Sequence, residues 1–245
     1  MYKRLFQSDA AWRITRNTIL YNIGFIFTTV VFSVLIALLL NMVTKRYVKI
    51  YQTALFFPYF ISFVVVSYIF IGFLDMEHGF LNTILGWFGT DAVLWYNEDK
   101  YWLYILVIVN LWKGVGYSAI IYYTAIIGFD SDYYEAAEID GATKWLQVRF
   151  ITLPLLKPLV ILMIMLAISR IFFGSFDLFY NVTLDSAMLY PTTDIIDTFV
   201  YRELRKTGDI GMASAAGFYQ SMVGFVIILV TNTVTRKLSK ENALF

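Results

Sequence analysis

The sequence predicts an all-α, polytopic membrane protein. Three observations carry that reading: a composition too apolar for water, five long apolar stretches, and cations clustered in some connections but not in others. Hydrophobic residues make up 59% of the 245 positions and charged residues 15%, outside the range of a soluble domain of this length. The 19 basic and 18 acidic residues nearly cancel, so no global field attracts nucleic acid, and only the local placement of charge is informative. Cysteine is absent and His78 is the single histidine, which excludes thiol nucleophiles, disulfides and multi-histidine metal sites. No catalytic residue, cofactor site or metal site is expected.

Crossing about 30 Å of hydrocarbon takes about 20 apolar residues as a helix, because every backbone group must find its partner internally. The stretches Thr18 to Val43, Thr53 to Leu74, Trp102 to Phe129, Leu159 to Tyr180 and Met212 to Val234 qualify. The first seventeen residues hold Lys3, Arg4, Arg13 and Arg16 without an apolar run, so they do not form a cleavable signal peptide. With no linker or internal repeat, residues 1–245 are expected to form one domain.

Cations beside spans are retained in the cytoplasm. Lys45, Arg46 and Lys49 lie in the first connection, Lys144, Arg149 and Lys157 in the third, and Arg236, Lys237 and Lys240 in the tail; the second and fourth hold only Lys100, Arg202, Arg205 and Lys206. The third connection and the C-terminus are therefore expected inside. The second, with Asp75, Glu77, Asp91, Glu98 and Asp99, is expected outside. Five spans then put the cationic N-terminus outside, against the rule. Either a further helix belongs before Met1, or residues 1–17 lie on the membrane surface through Leu5, Phe6, Trp12 and Ile14. Between the last two spans, Ile195, Ile196, Phe199 and Val200 share one face of a short external helix within residues 194–206.

The third connection, residues 129–158, is unlike an ordinary loop. Asp132 followed by Glu135 reads as a capping-box start, Ala136 and Ala137 favour helix, and Gly141 permits a sharp reversal. A second short helix is expected from Ala142 to about Phe150, with Trp145, Val148 and Phe150 available for burial, ended by Pro154 and Pro158, which restart the chain as the fourth span. By shape alone, this is either a rigid knob for a soluble partner or a hairpin resting on headgroups.

The fixed residues Glu135-Ala136-Ala137, three residues, Gly141, nine residues, Ile151, one residue and Leu153-Pro154 resemble the EAA loop of binding-protein-dependent ABC importer permeases. The resemblance runs from Arg16-Asn17-Thr18 and "ALLLN" ending at Asn41, through "NLWKGVGYSAIIYYTAI", to the final "ENALF". It is nearest to the maltose-permease-like branch that imports complex oligosaccharides. The family usually has six or more helices, and this chain begins where their second would.

The resemblance implies a bacterial inner-membrane permease subunit forming half of a carbohydrate path, with an extracytoplasmic binding protein and a second, homologous permease as partners. Its loop, about residues 130–158, would dock on a separate ATPase subunit through Glu135, Ala136, Ala137, Asp140 and Gly141. The chain carries no G-x-x-x-x-G-K-[ST] phosphate loop, so ATP chemistry belongs to that partner and this chain is not an enzyme.

Two cations fall inside the apolar stretches, Lys113 about 17 Å along the third and Arg170 about 18 Å along the fourth. Such charges must face protein or water, with Asp177 a counter-ion for Arg170. Structural pairing and lining of the sugar path both satisfy this. Trp112, Tyr117, Tyr122, Tyr123, Phe176 and Tyr180 are further candidates for sugar contact, since aromatic rings take sugar C–H faces and phenol tips take hydroxyls. An ion-coupled secondary transporter is the alternative these charges leave open; a coupling knob has no role there.

Overall fold

The computed structural model describes residues 9–238. Their helices are α1 (Asp9–Met42), α2 (Lys45–Phe60), α3 (Phe63–Leu74), α4 (Phe80–Trp87), α5 (Trp102–Ile127), α6 (Asp132–Ile139), α7 (Lys144–Gln147), α8 (Leu153–Ile168), α9 (Tyr190–Thr193), α10 (Ile196–Arg202) and α11 (Ile210–Leu238). The described residues contain no strand. Four helices are long and apolar enough to cross a membrane, or five spans if α2 and α3 form one broken span. The fold is all-α and membrane-spanning. Residues 1–8, with Lys3, Arg4, Leu5 and Phe6, and residues 239–245, with Lys240, lie outside the described residues.

Two spans differ from the sequence expectation. The second is interrupted at Ile61 and Ser62; the Ser62 hydroxyl accepts from the Val65 N–H and starts α3. Both halves are apolar, so hydropathy ran through a break that only the cap marks. The fourth helix runs from Lys144 to Ile168 without interruption, rather than from Leu159 to Tyr180. A π turn at Val148–Thr152 joins α7 to α8. Its wider hydrogen-bond register lies directly before Pro154, and Pro158 lies inside α8, so neither proline ends the helix. Beyond Ile168 the backbone leaves the helix because side chains take over its polar groups. Gln220 donates to the Phe172 carbonyl at 2.9 Å, and the Gly174 N–H donates to the Asp197 carboxylate at 2.7 Å.

The chain divides into two compact units. The first comprises the described residues up to Phe25, Ile61–Asn110 and Ser169–Ile228. One part of its core gathers Tyr21, Val66, Trp102, Leu106 and Phe179; another gathers Ile14, Phe172, Ile196, Phe199 and Ala216. Residues 9–17, offered above as a surface segment, continue α1 as regular helix, with Ile14 fully buried.

The second unit comprises Ile26–Phe60, Leu111–Ile168 and the described residues from Leu229 onward. Ala37 of α1, Tyr122 and Ile126 of α5 and Leu156 of α8 pack at its centre. Gly116 lets α5 approach α2 closely, since a Cβ there would lie 1.8 Å from the Leu55 carbonyl oxygen. Nearby, Ser33 of α1 donates to the Val115 carbonyl at 3.2 Å.

Candidate functional site

The third connection forms a helical hairpin that projects its side chains into the surroundings. The N-cap of α6 is Ser131, and its hydroxyl makes no capping bond because the residue is already helical, at φ −65° and ψ −27°. The expected capping box is therefore not formed. Asp130 accepts instead from the Asp132 N–H at 3.1 Å, while Asp132 and Glu135 occupy the first turn, where carboxylates suit the positive end of the helix dipole.

The reversal is built as a Schellman motif. Gly141 stands at φ +79°; its N–H donates to the Glu138 carbonyl at 3.0 Å, and the Ala142 N–H donates to the Ala137 carbonyl at 2.8 Å. A left-handed residue at this position satisfies the last carbonyls of α6, and glycine adopts it without the Cβ penalty. The chain then re-enters helix under Thr143, whose hydroxyl accepts from the Leu146 N–H at 3.4 Å. Glu138 and Lys144 form an ion pair across the turn, and Gln147 donates to the same carboxylate at 3.4 Å. Lys144 donating to it, more than Gln147, holds the Glu138 carboxyl below the usual glutamate range. At the base, the Tyr134 and Thr152 hydroxyls lie 3.0 Å apart. The hairpin is thus tied at its tip, its flank and its base.

Of the residues expected to couple, Glu135, Ala136, Asp140 and Gly141 are exposed and Ala137 is half-buried. Ile139 is 87% exposed and Trp145 is 65% exposed, apolar surface that water does not favour. Beside α6 lies a cavity of about 460 Å³, lined by Asn41, Ile126, Tyr134, Glu135, Lys144 and Gln147 among others. The sequence does not single out Tyr133 or Ile139, and of the three side chains it offers for burial only Val148 is buried, while Trp145 and Phe150 stand exposed on the hairpin.

The path candidates fall into separate groups. In the second unit, the Lys113 ammonium donates to the Tyr59 carbonyl at 2.8 Å and the Pro58 carbonyl at 3.3 Å, capping the end of α2 where the span breaks. Tyr117 stacks on Tyr59 at 4.9 Å and on Phe56 at 6.0 Å. Tyr122 is buried in the packing of α1, α5 and α8, which removes it as a contact residue. Trp112 is exposed and Tyr123 half-buried.

In the first unit, Arg170 does not lie within a helix as expected; it sits exposed in the turn after α8. Asp177 is not its counter-ion, since no ion pair joins them. Phe176 and Tyr180 do come together, stacked at 5.1 Å, and Tyr201 of α10 closes the group at 5.0 Å from each. Tyr201 was not foreseen, being distant in sequence.

A polar lock in the first unit was also missed. Buried Asp194 pairs with Arg13 at 2.9 Å and with Arg202, and Arg202 pairs with Asp185 at 2.8 Å. Asn17 donates to the Asp194 carbonyl at 3.0 Å, and Arg16 to the Pro191 carbonyl at 2.9 Å. Two of the cations that conflicted with the charge rule therefore have partners on the fourth connection, which five spans place on the same side as the start of α1.

A family model described as binding-protein-dependent transport system inner membrane component matches residues 29–240. The polygalacturonan/rhamnogalacturonan transport system permease protein YteP of Bacillus subtilis (strain 168) is 28% identical over 242 residues, covering 97% of this chain and 74% of the relative. The arabinooligosaccharides permease AraP of the same organism is 27% identical, over 91% of this chain and 70% of its own length. A crystal structure of a bacterial ABC transporter involved in the import of the acidic polysaccharide alginate superposes with a TM-score of 0.90 at 31% identity, covering 96% of this chain and 82% of that one. A second structure of an alginate transporter, in complex with a periplasmic protein bound to an alginate pentasaccharide, has the same score.

Proposed function

Because the chain belongs to the binding-protein-dependent transport system inner membrane components, we propose that it is the permease subunit of an ATP-driven oligosaccharide importer in a bacterial inner membrane. Residues 1–245 act as one transmembrane domain and contribute half of the translocation path. A second permease supplies the other half, an extracytoplasmic binding protein delivers the sugar, and a separate ATPase subunit provides the stroke. The relatives named above are sugar permeases, which supports the carbohydrate class. Lys113 and Tyr117 in one unit, and Arg170, Asp177 and Tyr180 in the other, are the proposed path residues.

The observation that carries this reading is the tied hairpin at Gly141. Glu135, Ala136, Ala137 and Asp140 form or adjoin its exposed helix, and Gly141 reverses the chain directly after it. A rigid knob transmits a partner's movement, whereas a loose loop would dissipate it. An ion-coupled transporter has no use for such a knob.

Gly141→Asp tests the assignment. A Cβ at this glycine meets nothing within 4 Å, so within the chain the substitution adds only left-handed strain of about 1–2 kcal/mol. The variant is expected to insert and accumulate normally, hold its ATPase subunit weakly and lose sugar uptake. Normal ATPase co-purification and normal uptake at matched abundance would sink the coupling role. A hairpin resting on headgroups predicts that normal result.

A further inference from the structure

Helix α4 presents an apolar face that its own unit leaves largely uncovered. Phe80, Trp87 and Phe88 are 52%, 76% and 81% exposed, and with half-buried Ile84 they recur at the spacing of one helix face. Neighbouring apolar rings of this kind mark a surface that meets something other than water. The opposite face is fastened. Leu81 packs on the core of the first unit. Buried Asn82 donates to the Asp75, Met76 and Val93 carbonyls and accepts from the Val93 N–H and the Trp95 indole N–H, all at 3.0–3.2 Å. A Cβ at Gly79 would lie 2.1 Å from the Asp75 carbonyl oxygen, so glycine permits the tight turn from α3 into α4. A rigid element thus carries the exposed rings.

Its depth is fixed by the same bonds. The Trp95 carbonyl accepts from the Trp102 indole N–H at 2.7 Å, and Trp102 is the first residue of α5. The 26 residues of α5 make about 39 Å of helix, longer than about 30 Å of hydrocarbon, so its first turn reaches the head groups. Two hydrogen bonds separate Asn82 from that turn. The rings of Phe73, in the last turn of α3, and Phe80 meet edge-on at 5.6 Å, which continues the apolar surface of α3 onto α4. Tyr104, in the first turn of α5, is exposed as well. Exposed aromatic rings at this level are the belt of a membrane boundary.

Charge selects the lipid. Residues 75–99 hold Asp75, Glu77, Asp91, Glu98 and Asp99 and no Lys or Arg, and Glu77 and Asp91 stand exposed beyond the two ends of α4. Carboxylates there repel an anionic head group and attract an ammonium.

We propose that α4 is a foot standing on the membrane surface: Phe80, Trp87 and Phe88 enter the upper part of the acyl layer, and Glu77 and Asp91 meet the ammonium groups of phosphatidylethanolamine. This rests on the membrane-spanning fold and goes beyond the permease reading, which gives the second connection no contact.

The test uses the full importer, purified through a tag on this chain and placed in nanodiscs of phosphatidylethanolamine and phosphatidylglycerol. One lipid at a time carries bromine on its chains, either near the head group or near the chain end, and bromine quenches indole fluorescence on contact. The difference in emission between wild type and Trp87→Phe isolates Trp87 while the face stays apolar. Phe88→Trp adds an indole to the same face and gives an independent difference if the first variant folds poorly. Each difference is expected to be quenched about twofold more by bromine near the head group than by bromine near the chain end. It should also be quenched about twofold more by brominated phosphatidylethanolamine than by brominated phosphatidylglycerol at equal content. Differences untouched by any bromine would overturn the foot, whether the emission is blue, as under a covering subunit, or red, as in water. Stronger quenching from the chain end would overturn the depth, and equal quenching by the two lipids would overturn the choice of head group. None of these outcomes bears on the permease reading, which stands or falls with the ATPase subunit.

Discussion

The hairpin at Gly141 and the lock around Asp194 are both rigid, but by opposite means. The hairpin is held by neighbours in sequence: the Schellman bonds, the Thr143 cap and the Glu138–Lys144 pair all close within about one turn of the reversal. The lock is held by residues far apart, since Arg13 and Asp194 are 181 positions from each other. Locally encoded rigidity survives in an exposed element that has no core, which suits a part that must fit a partner. Long-range rigidity depends on burial and on the whole unit being folded. The first should fail in function and the second in stability.

Removing the centre of the lock is the most damaging way to probe that contrast. Asp194→Ala takes from Arg13 its partner and from mostly buried Arg202 one of two carboxylates, leaving Asp185, so the cost is roughly 3 kcal/mol, the low end for breaking a buried pair. A large drop in thermal stability of the detergent-solubilised protein is expected, with abundance falling in parallel. An unchanged melting temperature would show that the lock is ornamental. Gly141→Asp should do the reverse, lowering the melting temperature much less than Asp194→Ala does while uptake is lost; an equal loss of stability would erase the distinction.

Thr143→Ala is a gentler probe of the same hairpin, because losing a helix cap costs about 1 kcal/mol. Faster amide exchange from Lys144 to Gln147 and a partial loss of uptake are expected. Unaltered exchange would mean that the cap contributes nothing.

The smallest effect concerns pH. Because Lys144 lowers the pKa of Glu138 in the folded hairpin, the pair contributes fully above the ordinary glutamate value of about 4.3 and is lost only as pH falls through the lower, folded value. ATPase co-purification should therefore be flat from pH 8 to 5 as far as this pair is concerned, and Glu138→Gln should not alter that flatness. A Glu138-dependent loss of binding near pH 6 would contradict the direction of the shift.

The same contrast explains what could be read from the chain. The hairpin was legible because its determinants are local: Glu135, Ala136, Ala137 and Gly141 act through backbone preferences that a sequence displays directly. The helical class and the third and fifth spans were legible from apolar length alone. Ile61 and Ser62 were not, because an apolar stretch looks continuous whether or not its backbone bends. Pro154 and Pro158 mislead for a related reason, since the π turn before Pro154 has no side-chain signature and the helix continues through Pro158. Arg170 was placed in a helix because nothing local announces that Gln220 and Asp197 capture the backbone beyond Ile168. Tyr201 and Asp194 needed the fold itself, as their partners come from other elements.

The unbroken helix from Lys144 to Ile168 has a mechanical consequence. Its 25 residues make a strut of about 37 Å, whose lower end is the returning arm of the hairpin. Pivoting such a strut by about 10° about that end would sweep its far tip sideways by about 6 Å, roughly the width of a sugar ring. A small swing imposed on Lys144 would thereby be geared up into a displacement on the scale of a sugar ring, and the π turn at Val148–Thr152 is the joint through which that gearing would pass.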